Sequence, residues 1–318
     1  MPKIVILDGL VANPGDLTWD TIAHLGDLKV YDRTKPTQIY QRGKAAEIVI
    51  INKTNLDWYA ISRLRKLKCI CTLSTGYNTV DIDAANHFGI TICNAVGYGS
   101  LSVAQHVFSL LLELTNQVGI HNHSVQQNEW ANSEDWSYWK SPILELAGKT
   151  MGVYGYGQIG KKVAEIALAF GMHVIAVRQS NVPPENKQVK LVTFKKLLTE
   201  SDVISLNAPL TDNNKGIINR RALASMKQTA YLINTGRGGL VNELDLKEAL
   251  LKKEIAGAGL DVLSQEPPPE NHLLLGIPNC LITPHQAWAS IAARQRLIEI
   301  VANNIRAFLI GKPQNVVN

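Results

Sequence analysis

The sequence has few features of a disulfide-bonded or metal-binding protein. Its 318 residues include four cysteines, and none of these forms a C-x-x-C pair. No helical pattern carries two histidines at the i, i+4 spacing of a zinc site. We therefore expect reduced cysteines, a reducing compartment and no bound metal. The cysteines are Cys69, Cys71, Cys93 and Cys280.

Long apolar segments are also missing. The sequence opens directly on the strand-like run Lys3–Asp8, without the charged and apolar regions of a signal peptide. It contains no run of about 18 apolar residues, the length that a membrane-spanning helix needs. We therefore expect a cytoplasmic protein with no membrane partner.

Charge of one sign is in only slight excess. The formal net charge is +5, from 32 basic and 27 acidic side chains. The densest basic cluster, Arg63–Lys68, contains leucines at helical spacing and is typical of a solvated helix face. Proteins that bind nucleic acid concentrate lysine, arginine and aromatic residues on one face. We therefore expect no nucleic-acid partner.

The sequence does contain a long alternation of short apolar runs and amphipathic segments. This alternation predicts an α/β fold with parallel sheets, and the length allows two domains. We predict two Rossmann-like, doubly wound parallel-sheet domains, with the nucleotide domain inserted into the substrate domain. Residues 1–98 plus 287–318 would form the flavodoxin-like substrate domain, and residues 99–286 the Rossmann domain. Strands are predicted at 3–8, 29–31, 47–52, 69–73, 90–94, 150–154, 173–177, 203–207, 230–234, 256–261 and 280–283.

The glycine-rich stretch M-G-V-Y-G-Y-G-Q-I-G-K has the spacing G-x-G-x-x-G. Gly155 permits a tight turn, Gly157 lets the backbone approach a phosphate, and Gly160 lets a helix pack on a strand. The glycines alone are a weak signal. A strand precedes them and a helix follows them, however, so we predict a dinucleotide-binding cradle that includes Gln158 and Ile159 at the helix start.

Polar residues follow three later strands at their carboxyl ends. Arg237 lies in the loop N-T-G-R-G-G, Glu266 in D-V-L-S-Q-E-P, and His285 in T-P-H-Q-A-W directly after the last strand. Ligands of open α/β sheets bind outside the carboxyl ends of the strands. We therefore expect these three side chains to line one crevice.

These residue types suit hydride transfer between a dinucleotide and a 2-keto acid. His285 can donate the proton that the reduced carbonyl needs. A carboxylate beside it, for which Glu266 is the candidate, favours the protonated ring and fixes its tautomer. Arg237 offers a planar fork of donors to a carboxylate. Each residue alone has an ordinary structural interpretation, so the prediction rests on all three together.

This ordered set of motifs resembles the D-isomer-specific 2-hydroxyacid dehydrogenases. The resemblance covers nearly the whole chain. It is closest to the glycerate dehydrogenase/hydroxypyruvate reductase branch, through L-S-T-G-Y-N-T-V-D at 73–81, G-Y-G at 97–99, E-L-A-G-K-T at 145–150 and P-Q-N-V-V-N at 313–318. It implies an NAD(P)-dependent oxidoreductase that interconverts a small 2-keto acid, such as hydroxypyruvate or glyoxylate, with a D-2-hydroxy acid. A phosphoglycerate dehydrogenase-like enzyme and a dinucleotide-sensing, co-repressor-like binding protein stay open as alternatives.

The resemblance also implies roles for individual residues. Arg237, Glu266 and His285 would be the catalytic triad, and Asp261 would meet the nicotinamide amide. Further cofactor contacts are implied for Ser102, Asn207, Ala208, Pro209, Thr235 and Gly236. Substrate contacts are implied for Ser74, Thr75, Gly76 and Trp288, together with Arg237 and His285. A homodimer is implied as well, with the Trp130–Trp139 arm reaching across to the partner subunit.

The end of the second strand of the nucleotide domain departs from the NAD-specific pattern. An acidic residue there would accept from the ribose 2′-OH, whereas this chain has Arg178, Gln179 and Ser180. An acid would repel the 2′-phosphate of NADP, and Arg178 and Ser180 can bind it. We predict that NADP(H) is preferred and NAD(H) possible. The alternative is that Arg178 is solvated and that NAD is used through other contacts.

Overall fold

The computed structural model describes residues 1–178 and 184–318. The chain forms two compact units, one of Met1–Gly99 with Trp288–Asn318 and one of Ser100–Ala287. The predicted boundaries, after residues 98 and 286, lie one residue earlier in each case. Every strand pair in both units is parallel, which confirms the predicted α/β class.

The unit formed by the two chain ends has a sheet of five described strands in the order β2-β1-β3-β4-β5. Apart from the sheet edge, its strands are buried along nearly their whole length, because helices cover both faces of such a sheet. The strands are β1 (Lys3–Ile6), β2 (Asp27–Val30), β3 (Ile48–Ile51), β4 (Cys69–Thr72) and β5 (Thr91–Cys93). The helices are α1 (Asp20–Ala23), α2 (Ile39–Gly43), α3 (Trp58–Arg63), α4 (Ile82–His87) and α11 (Ile291–Leu309).

The long C-terminal helix α11 completes the core of this unit. Leu297, Val301 and Ile305 recur at helical spacing and are fully buried against the sheet. Its buried Arg294 forms a two-pronged ion pair with Asp16, at 2.7 and 2.5 Å. The C-terminal segment therefore belongs to the same core as the first hundred residues, although nearly two hundred residues separate them in sequence.

The Ser100–Ala287 unit has a sheet of seven described strands in the order β12-β11-β10-β9-β6-β7-β8. The strands are β6 (Thr150–Tyr154), β7 (His173–Val177), β8 (Val189–Leu191), β9 (Val203–Leu206), β10 (Tyr231–Asn234), β11 (Gly257–Leu260) and β12 (Cys280–Ile282). The helices are α5 (Ser100–Asn116), α6 (Val118–Gln126), α7 (Gln158–Ala169), α8 (Phe194–Glu200), α9 (Arg220–Ala224) and α10 (Glu243–Leu251).

The strand order fixes where a ligand can bind in this unit. The chain runs outward from β6 through β7 to β8, then returns to the other side of β6 and runs from β9 to β12. The direction therefore reverses between β6 and β9. In doubly wound sheets the carboxyl ends of the strands at such a reversal form the ligand crevice.

The structure corrects two parts of the sequence prediction. Strand β8 was missed, because it is a three-residue edge strand in which Lys190 and Leu191 are exposed. The apolar pattern of residues 100–118 predicts one long helix, but α5 ends at Asn116, because Gln117 adopts a left-handed backbone with φ +48°. Helix α6 then begins at Val118. It was missed because its apolar residues are mostly exposed and leave no regular buried stripe.

The remaining boundaries differ from the prediction by a few residues, as at β2, which begins two residues earlier than expected. All four cysteines are free thiols. Within residues 1–178 and 184–318, no helix combines the length and the apolar character needed to cross a bilayer.

Candidate active site

The glycine cradle connects β6 to α7 at the reversal of the Ser100–Ala287 sheet. Gly155 has φ +97°, and a Cβ there would lie 2.5 Å from the backbone nitrogen of Ala208. A Cβ on Gly160 would lie 2.2 Å from the Gly155 carbonyl oxygen. A Cβ on Gly157 would meet nothing within 4 Å. Two of the glycines therefore close the turn against the protein, and the third leaves open space beside the helix start.

Helix α7 begins at Gln158, and its N-cap residue Gly157 makes no side-chain cap. The first N–H groups of a helix have no partner within the helix, and they carry the positive end of its dipole. Gln158 is exposed and Ile159 half-buried, so this helix start is open to a ligand. Unpaired N–H groups beside the open space at Gly157 are what a pyrophosphate requires.

The loops after β9 and β10 pack against the same turn. Ala208 touches Gly155, and a Cβ on Gly236 would lie 3.2 Å from the Ala208 carbonyl oxygen. The hydroxyl oxygen of Thr235 is buried and has no hydrogen-bond partner among the described residues. A buried, unpaired hydroxyl normally finds a partner, such as a bound ligand. The observed cradle and this hydroxyl therefore fit a dinucleotide.

Asn207 and Pro209 continue the loop after β9. The Asn207 side-chain amide donates to Ser205 at 3.1 Å, and the Pro209 carbonyl accepts from Asn214 at 2.8 Å. These bonds fix the loop conformation from within the protein. Asn207 is half-buried and Pro209 is exposed, so the surface of this loop remains available to a ligand at the carboxyl edge of the sheet, next to the cradle.

The carboxyl end of β7 carries the residues predicted to determine whether NAD or NADP is preferred. Arg178 directly follows β7, and the neighbouring Gly155 N–H donates to the Val177 carbonyl at 3.0 Å. Close by, Lys161 of α7 pairs with Glu185 at 2.6 Å. The hydrogen bond and charge of Lys161 lower the pKa of Glu185, and the charge of Arg178 lowers it further. The predicted contacts of Gln179 and Ser180 lie outside the described residues.

Arg237 is held by its loop rather than by its own side chain. The Asn234 side chain accepts from Gly236 N–H and donates to the Arg237 carbonyl, at 3.1 and 2.9 Å. A Cβ on Gly238 would lie 2.0 Å from the Leu263 carbonyl carbon. Only glycine fits there, so the loop that carries Arg237 touches the loop that leads to Glu266. The guanidinium itself is exposed and bonds to the Gly236 carbonyl at 2.7 Å.

Glu266 and His285 are in direct contact. Their Oε2 and Nδ1 atoms are 2.6 Å apart, and both side chains are about one-third exposed. An ionised carboxylate only accepts hydrogen bonds, so Nδ1 carries the shared proton and Nε2 is the second, outward nitrogen. Glu266 Oε1 accepts from the Leu263 N–H at 3.0 Å, which orients the carboxylate.

Asp261 lies at the end of β11 and is 1% exposed. Its Oδ1 accepts from the Gln286 N–H at 2.9 Å and from the Thr283 hydroxyl at 2.7 Å, and its Oδ2 accepts from the Ala287 N–H at 2.9 Å. These donors all belong to the turn that carries His285. The structure therefore gives Asp261 a role that the sequence prediction missed, as the anchor of this turn.

Ser102 and His106 extend this network from α5. The Ser102 hydroxyl donates to the Ala287 carbonyl at 2.6 Å. The resemblance implied only a cofactor contact for Ser102, and the sequence analysis assigned no role to His106. His106 Nε2 instead lies 2.9 Å from the Thr283 hydroxyl. The spacing i, i+4 on one amphipathic helix was the only sequence signal that linked them.

The contact of Glu243 with Ser264, which the sequence prediction missed, fixes the loop before Glu266. Both carboxylate oxygens of Glu243 accept from Ser264, each at 2.7 Å, one from its N–H and one from its hydroxyl. His272, which is buried, lies 3.2 Å from the same carboxylate. Glu243 is in the first turn of α10, and nothing in the sequence pattern marks its partners.

Three of the residues predicted to bind substrate, Ser74, Thr75 and Gly76, lie just after β4 in the other unit. The Thr75 hydroxyl donates to the Ala95 carbonyl at 2.8 Å, and Asn94 donates to the Thr75 carbonyl at 2.8 Å. Ser74 donates to the Gly76 carbonyl at 2.5 Å. In the described part of the chain, the N–H groups of Thr75 and Gly76 have no hydrogen-bond acceptor. These two donors are therefore available to an anion.

Trp288 belongs to the same unit as this loop. Its ring meets Tyr98 edge-on, with 6.2 Å between the ring centroids. Among residues 1–178 and 184–318, no cluster of three or more His, Cys, Asp or Glu side chains is placed to hold a metal ion.

Comparison with known proteins places this geometry in one family. Residues 108–287 match the family model "D-isomer specific 2-hydroxyacid dehydrogenase, NAD binding domain". The chain is 43% identical to a hydroxypyruvate reductase of Blautia hydrogenotrophica over 320 residues, which covers 99% of each protein. It is 42% identical to a glycerate dehydrogenase of Methylorubrum extorquens over 294 residues, which covers 92% of each.

A solved structure gives the same result for the fold. The acyclic imino acid reductase Bsp5, in complex with NADPH and D-Arg, matches with a TM-score of 0.87 and 31% identity, over 99% of this chain and 100% of that one. The predicted family is thus confirmed. The chain belongs to the D-isomer specific 2-hydroxyacid dehydrogenases, on the branch of the hydroxypyruvate reductases and glycerate dehydrogenases, and is an oxidoreductase that depends on a nicotinamide dinucleotide.

Proposed function

We propose that this enzyme reduces hydroxypyruvate or glyoxylate to the D-2-hydroxy acid, with NADP(H) as the preferred cofactor. The observation that carries the proposal is the contact between His285 and Glu266, 2.6 Å apart. Their loops lie at the same sheet edge as the loop of Arg237 and the glycine cradle. The names of the two relatives on this branch support the choice of substrate. We place the reaction in the cytoplasm.

His285 is the general acid of the proposed reduction. Its Nδ1–H donates to Glu266, so the proton that the substrate oxygen receives comes from Nε2. The Glu266 carboxylate stabilises the imidazolium before transfer and keeps the ring in one orientation. In the reverse direction Nε2 accepts the proton from the hydroxy acid.

Arg237 binds the substrate carboxylate in this proposal. The exposed guanidinium of Arg237 presents a planar fork of donors. Within the unit of the chain ends, the N–H groups of Thr75 and Gly76 offer two backbone donors to a substrate anion, and Ser74 fixes their loop through its bond to the Gly76 carbonyl. Trp288, packed on Tyr98, would limit the size of the substrate side chain.

The Ser100–Ala287 unit would hold the dinucleotide, and the unit of the chain ends would bind substrate. The start of α7 takes the pyrophosphate, Thr235 offers its buried hydroxyl, and Asn207, Ala208 and Pro209 line the adenosine side. Asp261 has one acceptor position on Oδ2 beyond the Ala287 N–H, and we assign it to the nicotinamide amide. When bound, the dinucleotide supplies or accepts the hydride.

The preference for NADP(H) rests on Arg178 at the end of β7. No acidic side chain stands at this position to accept from a ribose 2′-OH. Arg178 contributes a positive side chain there, and a guanidinium can bind the 2′-phosphate of NADP.

We propose that the enzyme is a homodimer. The segment from Trp130 to Trp139 exposes three indoles, with Trp136 88% exposed. The segment is ordered by its own contacts, because Trp130 Nε1 donates to the Trp136 carbonyl at 2.9 Å and Tyr138 bonds to Ser124 of α6. Large exposed aromatic side chains are enriched at protein interfaces.

Light scattering at micromolar concentration is expected to give about twice the 35.0 kDa chain mass. Trp136→Ser should shift the protein toward the monomer, because it removes the most exposed indole of the segment. Ser substitution of Trp58, an exposed indole in the other unit, serves as the control. A native protein of single-chain mass would contradict the dimer.

A panel of 2-keto acids tests the proposed function. With NADPH, turnover should be highest on hydroxypyruvate or glyoxylate, and the product of hydroxypyruvate should have the D configuration. His285→Asn should lower kcat by at least about 10²-fold, because the proton donor is lost. Highest turnover on 3-phosphohydroxypyruvate would instead support a phosphoglycerate dehydrogenase-like enzyme. No turnover on any keto acid would support a dinucleotide sensor.

The pH profile tests the pairing of Glu266 with His285. Reduction requires the protonated ring, so activity should fall as pH rises. Glu266→Gln removes the charge that lies 2.6 Å from Nδ1 of His285 and should move this fall to lower pH. Glu270→Gln, which removes an exposed carboxylate from the same loop, is the matched control. A Glu266→Gln profile that coincides with the native one would show that the pair does not tune the reaction.

Steady-state kinetics with both cofactors test the role of Arg178. The native kcat/KM should be higher with NADPH than with NADH. Arg178→Ala should lower the NADPH value about tenfold and leave the NADH value nearly unchanged, because one charge-assisted contact to the 2′-phosphate is lost. Lys190→Ala, which removes an exposed cation from β8, is the control. Equal or better use of NADH by the native enzyme would contradict the preference.

A further inference from the structure

Two polar side chains on one face of α5 hold the two ends of the turn that carries His285. Ser102 and His106 are one helical turn apart and both are partly buried. The Ser102 hydroxyl donates to the Ala287 carbonyl at 2.6 Å, at the end of the turn. His106 Nε2 lies 2.9 Å from the Thr283 hydroxyl, at its beginning.

The direction of the hydrogen bonds at the beginning of the turn follows from the available protons. The Thr283 hydroxyl has one proton, and it donates this proton to Asp261 Oδ1 at 2.7 Å. Thr283 must therefore accept from His106, so the imidazole carries its proton on Nε2. The same nitrogen lies 3.5 Å from Asp261 Oδ1. His106 of α5 thus donates to the Thr283 hydroxyl, which in turn donates to the buried Asp261 carboxylate.

The turn between these two anchors needs support from its surroundings. His285 has φ +51°, a left-handed backbone that residues other than glycine rarely adopt. Its N–H donates to the Asp261 carbonyl at 2.8 Å. The next two N–H groups, of Gln286 and Ala287, donate to the Asp261 carboxylate. Such a conformation persists only where the neighbouring structure fixes it, and here α5 and Asp261 do so.

We propose that Ser102 and His106 are positioning residues that set the orientation of His285 for proton transfer. This rests on the proposed role of His285 as the general acid. Neither residue needs to touch the substrate, because each acts on the backbone of the turn. His106 fixes the hydroxyl that orders Asp261, and Ser102 fixes the carbonyl at the other end. Loss of either contact lets the imidazole leave the orientation that transfer requires.

Paired substitutions at position 106 separate this role from simple packing. Glutamine carries its amide nitrogen close to the place of imidazole Nε2, and asparagine carries it close to the place of Nδ1. His106→Gln should therefore keep the bond to Thr283, and His106→Asn should lose it. We expect His106→Asn to lower kcat about tenfold with the KM for the keto acid nearly unchanged, and His106→Gln to stay within about threefold of the native kcat.

The solvent isotope effect shows whether proton transfer is the affected step. In D2O the His106→Asn enzyme should show a larger isotope effect on kcat than the native enzyme, because transfer from a misplaced His285 becomes rate-limiting. Ser102→Ala should act in the same direction. Ser109→Ala is its matched control, because the Ser109 hydroxyl bonds to Gln105 within α5 at 3.1 Å and is exposed.

Hydrogen exchange provides a readout that does not depend on activity. The amides of Gln286 and Ala287 should exchange about tenfold faster in His106→Asn than in the native protein or in His106→Gln. Equal loss of kcat in the Gln and Asn variants would overturn the proposal, as would unchanged exchange at Gln286 and Ala287. Failure of the proposed function itself would give a different result. Turnover would then be unimpaired in His285→Asn, while the exchange rates of Gln286 and Ala287 would still increase in His106→Asn.

Discussion

The candidate active site depends on one buried carboxylate. Asp261 is 1% exposed, and a charge in such a place is tolerated only when donors surround it. Three of its donors come from residues 283–287, the turn that presents His285. Hydrogen bonds to a charged acceptor contribute about 1.5–3 kcal/mol each, so together they outweigh the cost of one left-handed residue, on the order of 1–3 kcal/mol. The hydrogen bonds that stabilise the buried Asp261 carboxylate are thus the same bonds that place His285.

The rest of the site follows from close approaches of backbone to backbone. Gly238 lets the Arg237 loop press on residues 263–264, and Gly155 lets the cradle press on Ala208. These contacts leave no room for side chains, so the loops have little freedom to move apart. Five loops from β6, β9, β10, β11 and β12 therefore meet at one sheet edge with fixed relative positions. The positions of the reacting side chains are therefore set mainly by the backbone of these loops.

Much of this was predictable from sequence, for specific reasons. Buried parallel strands are continuous apolar runs, so β3, β4 and β9 were recognisable within a residue or two. The glycine spacing identified the cradle because a strand and a helix flank it. The residues Arg237, Glu266 and His285 stood out because they follow strands at their carboxyl ends. All of these signals are local in sequence.

The parts that escaped prediction depend on contacts distant in sequence or on weak local patterns. The anchoring role of Asp261 escaped prediction because the partners of its carboxylate lie more than 20 residues away. His106 looked ordinary because its partner Thr283 is 177 residues away. Strand β8 and helix α6 escaped because their exposed apolar residues give no regular pattern.

The most direct measurement compares Asp261→Asn with Asp202→Asn. Both replace a carboxylate that accepts backbone N–H groups, but Asp202 holds Thr150 and Lys227 at the amino-end side of the sheet. In Asp261→Asn the side-chain amide faces a backbone donor where a carboxylate oxygen stood. Because the bonds to Asp261 place His285, we expect kcat for keto-acid reduction to fall by about 10²-fold in Asp261→Asn while the variant stays folded, and Asp202→Asn to lose stability without a comparable loss of kcat. Near-native turnover in Asp261→Asn would contradict this expectation.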